Sequence, residues 1–128
     1  MRPLALLLAF LLGTATALAA EKFPVIARED LVQAMAAGPM TLIDANGSSS
    51  FRSGRLPGAI DYAARKTELV QLLPADKGAL IVAYCGSEAC PSWRAAASAA
   101  AALGYTNVRH FKAGLAGWRQ AGGKLERD

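Results

Sequence analysis

A continuous apolar run, Ala-Leu-Ile-Val-Ala-Tyr, occupies residues 79–84 and ends directly at Cys85. A turn signal at residues 76–78 precedes it and a polar stretch follows it. A short apolar run bounded in this way predicts a strand buried on both faces of a parallel sheet. The run therefore indicates the fold class and delivers a cysteine to the carboxyl end of a central strand.

On both sides of this strand, helical and extended patterns alternate along the chain. Helices are predicted over residues 28–37, 66–73, 92–103 and 115–121, strands over 41–43 and within 105–111, short extended segments at 25–26 and near 60, and a polar loop over 45–54. This order favours an α/β domain with a mainly parallel sheet flanked by helices. Ligands bind at the carboxyl ends of strands in such sheets, and both Asp44 and Cys85 fall at ends of that kind.

The composition limits the chain to one small domain and a few classes of function. It has 128 residues, of which 53% are apolar and 19% charged, and a formal net charge of +4. This is enough apolar material for a core and too little charge for a disordered chain. No run of lysines and arginines is present, which argues against nucleic-acid binding.

The first residues have the layout of a cleavable secretory signal. A basic start at Arg2 is followed by an apolar run over residues 4–12 and by the small residues Ala17 and Ala19. The run is short for a membrane span, which needs about 20 apolar residues. We expect residues 1–19 to be removed and residues 20–128 to form a single exported, periplasmic domain with no membrane association. The alternative is an uncleaved N-terminal anchor.

The two cysteines of the chain, Cys85 and Cys90, point to local chemistry. The backbone N–H groups of Gly86, Ser87, Glu88, Ala89 and Cys90 are expected to curve toward the Cys85 sulfur, at the positive end of the following helix. Both features favour thiolate over thiol, which makes Cys85 a candidate nucleophile at neutral pH. The polar loop predicts that Cys85 is accessible. The alternative is an inert core cysteine.

Other uses of the cysteines fit the sequence less well. A disulfide is permitted in an oxidising compartment, but it would close only a tiny loop. Two cysteines and one distant histidine, His110, fall short of the four ligands of a structural zinc site. The C-x4-C spacing differs from the C-x-x-C of thioredoxins. We therefore expect neither metal nor cofactor.

These motifs together resemble the rhodanese family. Leu42-Ile43-Asp44 and residues 54–60 look like the first half of a rhodanese domain, and residues 81–85, 103–108 and 113–118 look like the second half. The resemblance runs from about Val25 to Leu125. It implies a three-layer fold with a five-stranded, mainly parallel sheet, and a catalytic cysteine, here Cys85, that carries sulfane sulfur as a persulfide.

The sequence departs from the family pattern at several positions around this cysteine. The arginine that usually ends the loop is replaced by Cys90, and the usual acid-arginine pair after the first strand is replaced by Ala45-Asn46. Arg94 and Arg55 are the remaining candidate anion contacts. Asp44 is expected to fix the loop backbone, and Trp93 and Trp118 are expected to be packing residues.

Two functions follow from the resemblance and its departures. The first is a monomeric sulfurtransferase that takes sulfur from a small sulfur-containing anion or a persulfide and passes it to a thiol or cyanide. The second is a non-catalytic or redox module that uses a Cys85/Cys90 dithiol-disulfide pair or binds a partner. For the pair, we expect a reduced resting loop with its ends slightly wider apart than a disulfide allows.

Overall fold

The computed structural model describes residues 22–128, and the predicted signal segment lies outside the described residues. The helices are α1 (Arg28–Ala37), α2 (Ser48–Ser53), α3 (Tyr62–Arg65), α4 (Leu69–Leu72), α5 (Trp93–Ala102) and α6 (Gly114–Gln120). The strands are β1 (Met40–Asp44), β2 (Ile60–Asp61), β3 (Leu80–Tyr84) and β4 (Val108–Phe111). This order confirms the predicted α/β fold class.

The four strands form one parallel sheet in the order β2-β1-β3-β4. The prediction of five strands is therefore wrong in count. At the fifth position, beside β4, the chain forms a single parallel bridge between Val25 and His110. Pro24 and Ile26 flank this bridge and bond with His110, so the pairing extends no further along the chain. Proline lacks an N–H, which limits a longer ladder here.

Alternate residues of the central strands pack against opposite helical layers. Ile81, Ala83 and Cys85 face α5, whereas Val82 and Tyr84 lie in the core that contains α1 and α6. All five are at most 1% exposed. The continuous apolar run predicted this burial, because a strand covered on both faces needs apolar side chains at every position.

Two predictions of local structure were wrong in part: the loop over residues 45–54 and the start of the helix over residues 66–73. The predicted polar loop over 45–54 contains α2, because Phe51 packs under the Arg55 guanidinium at 4.3 Å and its N–H bonds to Gly47. The helix predicted over 66–73 starts earlier, where the Asp61 side chain accepts a hydrogen bond from Ala64. It is interrupted by a 3₁₀ turn over residues 66–68. Tertiary packing and an N-cap thus outweighed local propensity.

Candidate active site

Cys85 follows β3 directly, beside the end of β1. The Ala45 N–H donates to the Tyr84 carbonyl at 2.9 Å, which joins the two strand ends just before the cysteine loop. The Cys85 side chain belongs to the core with Trp93 and Ala96 and is only 1% exposed. The expected position is therefore observed, but the expected accessibility is wrong, because α5 covers this end of the strand.

The loop from Cys85 to Cys90 is closed by a disulfide. The two Cα atoms lie 6.0 Å apart, within the range of about 4.4 to 6.8 Å that disulfides require. The expectation of a wider, reduced loop is therefore wrong. The cause is a turn in which the Cys90 N–H donates to the Ser87 carbonyl at 3.2 Å and brings the loop back on itself. The sequence predicts that this N–H points toward the Cys85 sulfur. In the structure it is used in the turn instead.

The other loop residues differ from Cys85 in exposure. Gly86 is half-buried, whereas Ser87, Glu88 and Ala89 are exposed. Gly86 lies against the Asn46 side chain, since a Cβ added to this glycine would be 2.8 Å from Asn46 Oδ1. Asn46, which stands where the family usually has a charged residue, thus supports the start of the loop.

Helix α6 holds the loop from the opposite side. The Leu115 and Ala116 N–H groups donate to the Cys85 and Gly86 carbonyls, both at 2.9 Å. Two otherwise unpaired N–H groups of the first helical turn are satisfied in this way. Gly114, at the start of the helix, has φ +63°, and a Cβ there would lie 2.6 Å from the Cys85 carbonyl oxygen. The sequence analysis did not predict that α6 binds the loop. The glycine at the start of this helix could have indicated a close backbone contact there.

A buried hydrogen-bond network lies behind the site. The Tyr84 hydroxyl donates to Asp44 Oδ2 at 2.6 Å and accepts from the Leu56 N–H at 3.1 Å. Asp44 Oδ1 accepts from the Asn46 N–H at 2.8 Å, so Asp44 holds loop backbone as expected. Tyr84 was missed, although a tyrosine in a fully buried strand needs a partner for its hydroxyl. Asp44 pairs with Tyr84 in the β1–β3 register.

Burial shifts the acidity of both groups in this network. It raises the pKa of Asp44 above the ordinary 3.8, and this outweighs the lowering by the hydrogen bonds from Tyr84 and the Asn46 N–H. Burial, followed by the Asp44 charge, raises the pKa of the Tyr84 phenol. The pair is therefore a structural contact that keeps a proton on Tyr84 at neutral pH.

The raised pKa of Asp44 predicts a pH-dependent stability. The folded state binds the proton more tightly than the unfolded chain does. Asp44 therefore contributes most to the free energy of unfolding at low pH, and its contribution declines as pH rises from about 4 through the folded-state pKa. We expect the difference in unfolding free energy between wild type and Asp44→Asn to fall over this window in urea titrations. A difference that grows with pH would contradict the shift.

The two candidate anion contacts occupy different surroundings. The Arg94 guanidinium lies over the Trp93 ring at 4.8 Å, on a cavity of about 140 Å³ that Glu88 and Lys112 also line. Arg94 is therefore next to the loop. Arg55 instead pairs with Asp128 at 2.8 Å and with Glu126 at 3.8 Å. A role in anion binding stays a prediction for both, and Arg55 would have to exchange these carboxylates first.

The remaining predicted residues pack in the core. Trp93 is 7% exposed and stacks on His110 at 3.5 Å, and Trp118 is 4% exposed. Both are packing residues, as predicted. Within residues 22–128, no three His, Cys, Asp or Glu side chains lie close enough together to hold a metal ion. The same residues contain no helix that is long and apolar enough to cross a bilayer.

The arrangement of strand β3, the cysteine loop and helix α6 lies within a region that matches a known family. The chain matches the Rhodanese-like domain over residues 27–121, which is most of its length. The chain belongs to the rhodanese-like family. Comparison with curated proteins gives no significant match.

Solved structures of rhodanese-like and related proteins share the fold of this domain. A rhodanese-related protein from Thermoplasma volcanium aligns with a TM-score of 0.64 and 17% identity, covering 83% of this chain and 100% of that one. A Bacillus halodurans protein aligns with a TM-score of 0.63 and 22% identity, covering 81% and 77%. A thiosulfate sulfurtransferase from Pseudomonas aeruginosa aligns with a TM-score of 0.63 and 23% identity, covering 82% of this rhodanese-like chain but only 20% of the enzyme.

Proposed function

We propose that this rhodanese-like protein is a sulfurtransferase that carries sulfane sulfur on Cys85. The observation that carries the proposal is the place of Cys85, at the carboxyl end of the central strand β3 and at the start of a loop held by α6. The helix that follows the loop, α5, presents its positive N-terminal end to the same region. The helix end favours a thiolate on Cys85, whereas burial in the apolar core opposes it, so Cys85 becomes nucleophilic once the reduced loop moves out of the core.

The proposed reaction has two steps. Cys85 is buried in the oxidised loop, so the reduced loop must first move away from α5. The Cys85 thiolate then attacks the outer sulfur of a donor such as thiosulfate, whose sulfur–sulfur bond breaks, and sulfite leaves with the electron pair. A thiolate or cyanide then attacks the outer sulfur of the Cys85 persulfide and takes it, and Cys85 returns to a thiolate. No net electron transfer to the protein is needed in this cycle.

The proposal includes partners and a location. The donor is a small sulfur-containing anion or a persulfide, the acceptor is a thiol, and the protein acts as a monomer after export and removal of residues 1–19. The predicted signal pattern supports export. N-terminal sequencing of the native protein should find a start near Ala20.

A second candidate function is favoured by the disulfide. With Cα atoms 6.0 Å apart, Cys85 and Cys90 are placed to exchange between dithiol and disulfide. In the sulfur-transfer cycle this exchange would also end the life of a persulfide. The Cys90 thiolate would attack the inner sulfur of the Cys85 persulfide, expel hydrosulfide and leave the disulfide.

Mass spectrometry separates the two candidates. The reduced protein is treated with thiosulfate and cleaved after Glu88, which places Cys85 and Cys90 in separate peptides. A gain of one sulfur, about 32 Da, on the Cys85 peptide supports sulfur transfer. Loss of two hydrogens to dissolved oxygen, with the peptides joined, no sulfur gained and no sulfite or hydrosulfide released, supports the redox module instead.

The missing loop arginine predicts a gain of function for Cys90→Arg. A guanidinium at this position can donate paired, charge-assisted hydrogen bonds to thiosulfate, which no side chain of the present loop offers. We expect kcat/KM for thiosulfate to rise about tenfold, corresponding to one charged hydrogen bond. The matched control is Cys90→Ala, which loses the disulfide equally but adds no charge. Equal rates for the two variants would contradict the prediction.

A further inference from the structure

The two cysteines of the Cys85–Cys90 disulfide differ in their exposure to solvent. Cys85 is 1% exposed and lies in the core with Trp93, Ala96 and Ala97. Cys90 is half-buried, and the residues on both sides of it, Ala89 and Pro91, are exposed. An external nucleophile therefore meets Cys90 first.

Access decides which sulfur is attacked, because thiol–disulfide exchange requires the incoming thiolate to reach one of the two sulfurs directly. An approach to Cys85 is closed by the side chains of α5 on one side. On the other side the loop is tied to α6 through the Cys85 and Gly86 carbonyls. Attack at Cys85 would need this tie or the helix packing to open, whereas attack at Cys90 needs neither.

We infer that Cys90 is the catalytic sulfur at which external thiols open the oxidised loop. A thiolate RS⁻ forms a bond to Cys90 Sγ, the Cys85–Cys90 bond breaks, and its electron pair leaves on Cys85. A second thiolate attacks the R-group sulfur of the mixed disulfide, RSSR forms, and the electron pair of the broken bond leaves on Cys90 as a thiolate. The protein is reduced by two electrons and two thiols are oxidised. This step restores the Cys85 thiolate that sulfur transfer requires, and in that respect the inference rests on the proposed function.

The test uses the oxidised wild-type protein and 2-mercaptoethanol. After seconds of reaction, N-ethylmaleimide traps the released thiol, and cleavage after Glu88 separates the two cysteines for mass spectrometry. We expect the mercaptoethanol adduct on the Cys90 peptide and maleimide on the Cys85 peptide, at least tenfold over the reverse pattern. Adducts mainly on Cys85, or an even split, would overturn the inference.

The control is the same reaction in urea, where unfolding exposes both sulfurs. We expect the preference for Cys90 to disappear there, and a preference that persists would show that the local sequence, and not the fold, sets it. This measurement is independent of sulfur transfer. Failure to load sulfur on reduced Cys85 would contradict the proposed function and leave the Cys90 result intact.

Discussion

Cys85→Ser should abolish sulfur transfer from thiosulfate to cyanide. A serine hydroxyl at the end of β3 is a far weaker nucleophile than a thiolate and cannot hold a persulfide. We therefore expect the rate to fall on the order of a thousandfold, to the level of the uncatalysed reaction. The measurement is thiocyanate formation by the reduced protein under saturating thiosulfate.

The control for this variant has to remove the disulfide as well. Closing a loop this short stabilises a protein by about 2 kcal/mol, so part of any loss in Cys85→Ser could come from weaker folding. Cys90→Ser loses the same bond but keeps Cys85. We expect it to be at least as stable as Cys85→Ser in urea, because Cys85→Ser also places a hydroxyl in the apolar core, and to retain transfer. If Cys85→Ser keeps the wild-type rate, Cys85 is not the sulfur carrier.

Gly114→Ala should cause the largest loss of stability among single substitutions around the site. Its Cβ would lie 2.6 Å from the Cys85 carbonyl oxygen and 3.1 Å from the Ser87 nitrogen, and both atoms are backbone. The Cys85 oxygen cannot move without breaking its bond from the Leu115 N–H, and the Ser87 nitrogen directly follows the Gly86 carbonyl that accepts from Ala116. Overlap and the φ of +63° together should reduce the free energy of unfolding by about 3 to 4 kcal/mol.

Gly122→Ala separates the two causes. This glycine also has a positive φ, +76°, but a Cβ there would meet nothing within 4 Å. We expect it to cost about 1 to 2 kcal/mol, from the left-handed conformation alone. The difference between the two variants in urea unfolding measures the overlap with the loop. Equal losses would mean that the loop moves aside freely and that α6 does not fix it.

The fold could be predicted largely from apolar patterning. The run over residues 79–84 specified a strand buried on both faces, and the alternation around it specified the parallel sheet. Patterning failed where tertiary contacts decide structure. Three serines in a row gave no helical signal in α2, and the Val25 pairing ends within one residue because of its neighbours.

The site could be predicted only in part. The sequence placed Cys85 and Asp44 at the carboxyl ends of strands, because both follow apolar runs. It could not give the depth of Cys85, since exposure depends on how closely α5 packs. It also could not give the distance between Cys85 and Cys90, which a single turn hydrogen bond from Cys90 to Ser87 sets. Tyr84 was counted as an apolar strand residue, and its hydroxyl was overlooked.

The buried side of α5 consists mainly of methyl groups. Ala96, Ala97 and Ala100 have no exposed surface, and they face Ile81 and Ala83 of the central strand or its neighbours in the same core. Alanine has no rotamers, so the spacing between helix and sheet is fixed by backbone dimensions alone. The interface is in effect a rigid spacer. A larger side chain at any of these positions would push the helix away from the sheet. The resulting tilt would displace the first turn of the helix, which lies next to the two cysteines.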